Sequence, residues 1–204
     1  EAYGMTEATH QMTSNPLPPK KQKAGFVGIP AGPEVCIMND NNQIMKNGDT
    51  GEVCIKGSNV TSGYENNPEA NDSSFSNGWF RTGDQGFFDE DGYLKISGRL
   101  KEIINKGGEK ISPLEIDNVL MDHPSIEQAV CFGYEVKMLG EDIATAIIVK
   151  EGMNCTEEDL KNYANEKLAK FKVPKKIFFV NEIPKGATGK LQRNTLAKKF
   201  GLVN

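Results

Sequence analysis

The chain has 204 residues and a formal net charge of −4, with 37% hydrophobic and 25% charged residues. That is the composition of a soluble globular protein of one or two domains, with no basic excess or polybasic run to suggest nucleic acid or an anionic membrane surface. The longest apolar stretch, Ile143 to Val149 with Thr145 inside it, falls well short of the about 20 residues that cross a bilayer as a helix.

In chain order, residues 11–35 are rich in Pro, Lys and Gly and read as loop. Residues 35–57 alternate, with Val35, Ile37, Val53 and Ile55 expected on one face of short antiparallel strands. The clusters Asn39–Asn42 and Lys46–Asp49 supply turns between them. A loop follows, with a short helix expected near Pro68–Phe75. Phe87-Phe88 and Tyr93–Ile96 flank Asp89-Glu90-Asp91-Gly92, the pattern of a hairpin with a glycine turn.

The character changes after Gly98. Ser112-Pro113-Leu114-Glu115 predicts a helix start, with Ser112 as cap, Pro113 in the first turn and Glu115 closing a capping box. Ile116, Val119 and Leu120 then form an apolar stripe that ends at His123-Pro124. Ile126–Gly133 and Ile143–Lys150 read as strands. Thr156 caps a second helix running to about Lys170, with Leu160, Tyr163, Ala164 and Leu168 on one face. Lys176–Val180 reads as a strand and Lys190–Phe200 as a last helix. Strands and helices mixed in this way indicate an α+β domain. The expected boundary lies at Gly98–Glu102.

The four cysteines, Cys36, Cys54, Cys131 and Cys155, include no CxxC pair, and only two histidines accompany them. A zinc site or a disulfide framework is not expected, and reduced thiols in a cytoplasmic compartment are. A chain that opens on Glu1-Ala2-Tyr3-Gly4 is expected to continue upstream, and its last residues are not a peroxisomal signal.

Five segments carry chemistry. They are Tyr3–Glu7 (YGMTE), Arg81–Asp84 (RTGD), Gly98–Ile116 (GRLKEIINKGGEKISPLEI), Gly133–Glu141 (GYEVKMLGE) and Pro184–Lys190 (PKGATGK). Tyr3 offers a face to a purine, and stacking of that kind contributes roughly 1–3 kcal/mol. Gly4 allows close approach of backbone, Thr6 offers a hydroxyl to phosphate oxygens, and Glu7 offers a hard carboxylate to Mg²⁺. Asp84 can accept two ribose hydroxyls. Lys190 is a point cation on a glycine-bearing loop, suited to charge that develops on a phosphoryl group. A cation at a helix start opposes the helix dipole, which favours a functional reading of Lys190. The segment is not a GxxxxGK phosphate loop, because the first glycine is missing.

In this order and at this spacing, the five segments resemble the later signature motifs of the adenylate-forming superfamily of acyl-CoA synthetases, peptide-synthetase adenylation domains and luciferases. The resemblance runs from the first residue to the last. It implies the end of a large N-terminal domain in residues 1–97, including a small antiparallel β-barrel-like subdomain. A hinge over 98–102 and a small mobile α+β domain over 103–204 would follow. The implied reaction is ATP-dependent ligation of an acid to coenzyme A through an acyl-adenylate. The implied catalytic residues are Thr6, Glu7 (on Mg²⁺) and Lys190. Tyr3, Gly4, Met5, Thr6, Asp84, Arg99 and Lys190 would contact the nucleotide. Ile96 fits two readings, a wall of the adenosine site or ordinary strand core. Lys101 would be the hinge residue. Lys106, Gly107 and Gly108 would face the pantetheine arm of coenzyme A, although two adjacent glycines also suit a plain hairpin turn.

The stretch Thr6–Pro18, with GEKISPLEID and FKVPKKIFF, resembles oxalate–CoA ligases in particular. His10 would then pair with the second carboxylate of a dicarboxylate, or be a surface or packing histidine. The alternatives are a 4-coumarate- or fatty-acid–CoA ligase, an adenylation domain loading a carrier protein, and a non-catalytic nucleotide-binding module. The family's Ser/Thr/Gly-rich phosphate loop is not among these residues, so the implied partner is an upstream region of the same enzyme, and the piece alone is expected to be inactive. No transmembrane segment and no nucleic-acid partner is expected.

Overall fold

The computed structural model describes residues 1–186 and 191–202. They divide into two compact units, Glu1–Leu100 and Lys101 onward. Among the described residues no helix is long and apolar enough to cross a membrane.

The first unit holds three short strands, β1 (Ala2–Tyr3), β2 (Thr13–Ser14) and β3 (Ile29–Pro30), joined in that order. Beside them in sequence come β4 (Glu34–Met38), β5 (Gly51–Lys56), the helix α1 (Pro68–Ser74), β6 (Phe75–Ser76), β7 (Trp79–Phe88) and β8 (Leu94–Arg99). The five strands form one antiparallel sheet in which β7 pairs with β5, β6 and β8. β4 pairs only with β5, so the sheet is open, in contrast to the barrel-like form expected from the resemblance. Val35 faces Ile55 and Ile37 faces Val53, which brings the four alternating residues together. Ile37 and Val53 join Phe88 and Leu94 in one core cluster, while Ile55 joins Ala8, Met12 and Phe80 in another. Burying each such side chain contributes roughly 1.5–3 kcal/mol.

The RTGD segment is not a free turn. It lies within β7, and the register slips there: Arg81 faces Cys54 while Gln85 faces Glu52. Residues 82–84 therefore oppose Val53 alone, and Gly83, with φ 74°, absorbs the excess. A bulge of this kind re-aims side chains at the point where pairing is interrupted.

The second unit contains β9 (Ile104–Lys106), β10 (Glu109–Ile111), α2 (Pro113–Met121), β11 (Ile126–Val136), β12 (Gly140–Val149), α3 (Glu157–Lys167), β13 (Lys176–Phe179) and α4 (Arg193–Lys199). β13 runs parallel to β12 and the other pairings are antiparallel. β11 and β12 are longer than expected and form one hairpin. Their alternate residues pack on opposite faces. Ala129, Cys131, Ile143 and Ile147 meet Ile116, Leu120, Leu160 and Ala164 of α2 and α3. Val130, Phe132, Ala144 and Ala146 meet Leu196 of α4.

Thr156 caps α3 as predicted, in a reciprocal box with Asp159. At α2, Pro113 takes the first turn as predicted, but Ser112 makes no capping bond to the helix. Glu115 does not close a box. Its two carboxylate oxygens lie 2.7 Å from Lys172 Nζ, a stronger partner than a backbone amide would be. The last helix begins at Arg193, not at Lys190.

Candidate functional site

Three of the five segments meet in the first unit. Pairing of β7 with β8 sets Asp84 opposite Arg99, and Arg99 Nε lies 2.8 Å from Asp84 Oδ1. The Tyr3 hydroxyl donates to Asp84 Oδ2 at 2.5 Å. Asp84 is only 6% exposed. Burial, then the charge of Asp84 and its hydrogen bond, push the Tyr3 phenol far above its ordinary value, so it remains a donor. Tyr3 and the half-buried Ile96 pack on the cluster of Ile37, Val53, Phe88 and Leu94. Both readings of Ile96 are compatible with that position, at the edge of core beside Tyr3.

The bulge holding Asp84 is organised by a residue that the sequence reading passed over. Glu52 is buried, yet its Oε2 accepts from Arg81 Nε at 2.7 Å and its Oε1 accepts from Gly83 N–H at 2.9 Å. Arg81 Nη1 also donates to Asn42 Oδ1 at 2.7 Å. Thr82 donates its hydroxyl to Val53 O, and Asp84 N–H donates to Thr82 Oγ1. The signal was weak: alternation sets Glu52 on the face of β5 opposite to Val53 and Ile55, and only the structure shows that this face is buried as well, around Cys36, Met38 and Cys54, where a carboxylate requires partners.

The YGMTE segment turns through a 3₁₀ helix at Thr6–Ala8 into Thr9 (φ 55°) and His10 (φ 69°). These left-handed residues carry the chain back over Gly4. A Cβ on Gly4 would stand 1.4 Å from the carbonyl oxygen of His10, so this is a position that only glycine fits. His10 N–H donates to Met5 O at 3.0 Å. Asn59 clamps the far side, donating Nδ2 to the carbonyls of Ala8 and Gln11 and accepting from Thr9 Oγ1 at its own carbonyl. Thr6 and His10 are exposed and Met5 is half-buried against Phe80 and its neighbours. Glu7 Oε1 accepts from the Tyr64 hydroxyl at 2.9 Å, which orients the carboxylate and leaves Oε2 for a metal ion. Among the described residues no group of three or more His, Cys, Asp and Glu could hold a metal by itself. One carboxylate beside phosphates and water is nonetheless a normal protein share for Mg²⁺ at a nucleotide.

In the second unit, Gly107 (φ 62°) and Gly108 (φ 96°) form the two-residue turn between β9 and β10, for which consecutive left-handed residues are needed. The turn is braced from the β11–β12 hairpin. Gly107 N–H donates to Leu139 O at 2.8 Å, and Asn105 N–H donates to Glu141 Oε2 at 2.7 Å. Lys106 Nζ lies 2.6 Å from Asp142 Oδ1 with its side chain 16% exposed. Its ammonium is committed to that carboxylate. The GYEVKMLGE segment thus supports the glycine turn, a role that its spacing did not reveal. Lys101 opens the second unit. Lys190 lies outside the described residues; the chain on either side of it is joined by the pairing of Lys185 with Leu191.

The four cysteines are free thiols. Burial pushes Cys36 up to about 11 and Cys54 up to about 12, so neither is a ready nucleophile.

Two family models match the chain: AMP-binding enzyme over residues 1–65, and AMP-binding enzyme C-terminal domain over residues 115–190. Oxalate–CoA ligase of Arabidopsis thaliana is 54% identical over 201 residues, covering 98% of this chain and 39% of that protein. Oxalate–CoA ligase of Saccharomyces cerevisiae is 52% identical over 202 residues, covering 98% and 37%. The ATP-bound crystal structure of MatB from Rhodopseudomonas palustris superposes with a TM-score of 0.89 at 33% identity, over 97% of this chain and 40% of that one. The chain spans about two-fifths of the length of these relatives.

Proposed function

We propose, since the chain belongs to the AMP-binding enzyme family, that it forms the C-terminal part of an ATP-dependent acid–CoA ligase and that oxalate is the acid. The observation that supports this most is the convergence on Asp84 of Tyr3 and Arg99, from segments 81 and 15 residues away in sequence. A buried carboxylate with a phenol and a half-exposed guanidinium beside it suits a ribose: the hydroxyls can donate to Asp84 while Arg99 turns toward phosphate oxygens.

In the proposed reaction an oxygen of the acid attacks the α-phosphorus of ATP. The phosphorus–oxygen bond to pyrophosphate breaks, and acyl-adenylate forms. Two anions meet in this step, so a cation that binds the transition state more tightly than the ground state accelerates it. Lys190 is that cation, and Thr6 donates its hydroxyl to a phosphate oxygen. Glu7, oriented by Tyr64, would hold Mg²⁺, which would neutralise phosphate charge there. Tyr3, Gly4, Met5 and Ile96 line the adenosine side. The sulfur of coenzyme A then attacks the acyl carbon, the bond to AMP breaks, and the thiol proton is lost to solvent.

Rotation about Lys101 exchanges the faces that the second unit presents for the two steps. The domains are then residues 1–97, a hinge over 98–102, and residues 103–204. The turn at Gly107-Gly108 passes the pantetheine arm, and Lys106 acts through the Asp142 pair that stiffens this turn. His10, exposed at the end of the YGMTE loop, pairs with the second carboxylate of oxalate. An upstream region of the same enzyme supplies the rest of the acid and phosphate sites, in the cytoplasm.

The test is AMP release by the full-length enzyme with ATP, Mg²⁺ and coenzyme A across oxalate, malonate, acetate and 4-coumarate, beside Lys190→Ala. Preference for oxalate, with a fall of about 100- to 1000-fold in the variant, is expected. Preference for another acid discards oxalate and keeps the ligase. A variant as fast as the parent discards the role given to Lys190. The isolated 204-residue piece is expected to release no AMP.

A further inference from the structure

Arg193 is the most heavily committed cation among the described residues of the second unit. Its side chain is 13% exposed, and its guanidinium reaches three separate segments. Nε lies 2.9 Å from Glu102 Oε2, Nη1 donates to Cys131 O at 2.8 Å, and Nη2 lies 2.6 Å from Asp117 Oδ2. Asp117, 3% exposed, accepts from Cys131 N–H at 2.6 Å with its other oxygen. Lys101, Glu102, Glu135 and Glu141 line the cleft into which Arg193 reaches. A leucine would fill much of this volume without the cost of removing charge from water. What only the guanidinium supplies is a rigid fork that sets three segments at fixed distances.

Those segments matter by position. Glu102 is the second residue of the second unit, directly after Lys101. Arg193 stands three residues after Lys190 and two after Leu191, which pairs with Lys185. Asp117 belongs to α2 and Cys131 to the middle of β11, the core of the unit. The chain is therefore gripped as soon as it leaves Lys101, and the grip is made by the helix that begins three residues after Lys190 in sequence.

We propose that Arg193 is a positioning residue for adenylation: through Glu102 it ties the start of the last helix, three residues beyond Lys190 in sequence, to the chain entering the second unit, so that rotation at Lys101 carries the chain next to the lysine together with the body of that unit. The proposal rests on the role given above to Lys190. It gives Arg193 no contact with substrate, so its loss changes how often Lys190 is correctly placed and not how tightly ATP or acid binds. Thioester formation, in which Lys190 takes no part, does not depend on it.

The test uses the full-length enzyme in two single-turnover assays: pyrophosphate release with ATP and acid, and thioester formation from supplied acyl-adenylate and coenzyme A. Glu102→Ala leaves the Arg193–Asp117 pair in place and is expected to fold. Arg193→Lys is examined beside it with a thermal melt, and Lys190→Ala is the comparator. Glu102→Ala slows pyrophosphate release about ten-fold, as modest misplacement of a catalytic group does. The KM values for ATP and acid stay within about two-fold, as does the thioester rate, and Glu102→Asp recovers part of the loss. Equal slowing of both half-reactions, a change in KM alone, or unimpaired pyrophosphate release in Glu102→Ala while Lys190→Ala is slow, overturns the role of Arg193 alone. Unimpaired release in Lys190→Ala overturns the role of the lysine and that of Arg193 with it.

Discussion

Asp84 in the first unit and Asp117 in the second are both buried and both accept from two donors, yet the donors differ. Asp84 is held by the Tyr3 hydroxyl and by Arg99, whose side chain is 58% exposed. Asp117 is held by the buried Cys131 backbone amide in the middle of β11 and by Arg193, whose side chain is 13% exposed. The first carboxylate can exchange its partners for a ligand's hydroxyls, because Arg99 can turn into water. The second cannot, because each of its partners would be stranded. Burial raises the Asp117 carboxyl above its ordinary range, against the opposing pull of Arg193 and the Cys131 amide. Burial of a charged group is thus compatible with binding in one place and with bracing in the other, and the freedom of the donors separates the two.

The same substitution at both positions gives the largest expected effect and can break the comparison. Asp117→Asn leaves Arg193 short of charge in a dry place and is expected to cost about 3–5 kcal/mol. Asp84→Asn is expected to cost about 1 kcal/mol while raising the KM for ATP, since the amide still accepts from Tyr3. Chemical unfolding measures the first and steady-state kinetics of the full-length enzyme the second. Equal costs would show that the two sites do not differ as described.

Gly4→Ala sharpens the comparison from the backbone side. The added methyl meets the His10 carbonyl, so the YGMTE loop must move, at a cost of about 1–3 kcal/mol, and ATP binding weakens with it. A melt and an ATP titration showing no change in either would mean that the loop is not held closed at this point.

The smallest effect belongs to a surface cap of the second unit. Thr156→Ala removes a capping bond from α3 and is expected to cost about 1 kcal/mol. Its partner Asp159 is lowered from 3.8, chiefly by the hydrogen bond from the Thr156 hydroxyl and next by the Thr156 amide. A carboxyl lowered by folding stabilises the native state above its unfolded value and loses that contribution as pH falls through the folded one. The gap between parent and variant is therefore expected to be full above pH 3.8 and to narrow below it. A gap that widens in acid would remove Asp159 from the account.

Much of the fold was legible where the information is local. The shared face of Val35, Ile37, Val53 and Ile55 follows from alternation, the cap at Thr156 from the residue type before a 3.6-residue pattern, and the turn at Gly107-Gly108 from two residues that tolerate positive φ. The ends of elements were less legible. Glu115 was expected in a capping box and instead meets Lys172, 57 residues away, and the last helix starts three residues later than expected. Nothing local announces a partner at that distance.

For the site, the sequence alone determined which side chains have the chemistry that the proposed reaction calls for: a tyrosine, carboxylates at Glu7 and Asp84, a glycine at position 4 and a lysine at 190. Identity of residue type is enough for that, because charge, hydrogen-bonding capacity and backbone freedom belong to each residue separately. Only the tertiary structure decided that Tyr3 and Arg99 meet at Asp84, that Glu52 and Arg81 hold the bulge beneath it, and that Lys106 is taken by Asp142. The register of β5, β7 and β8 in one unit, and the pairing of β9 with β12 in the other, help bring these groups within 3 Å. That closeness depends on how whole strands and helices pair, which no single stretch of chain encodes.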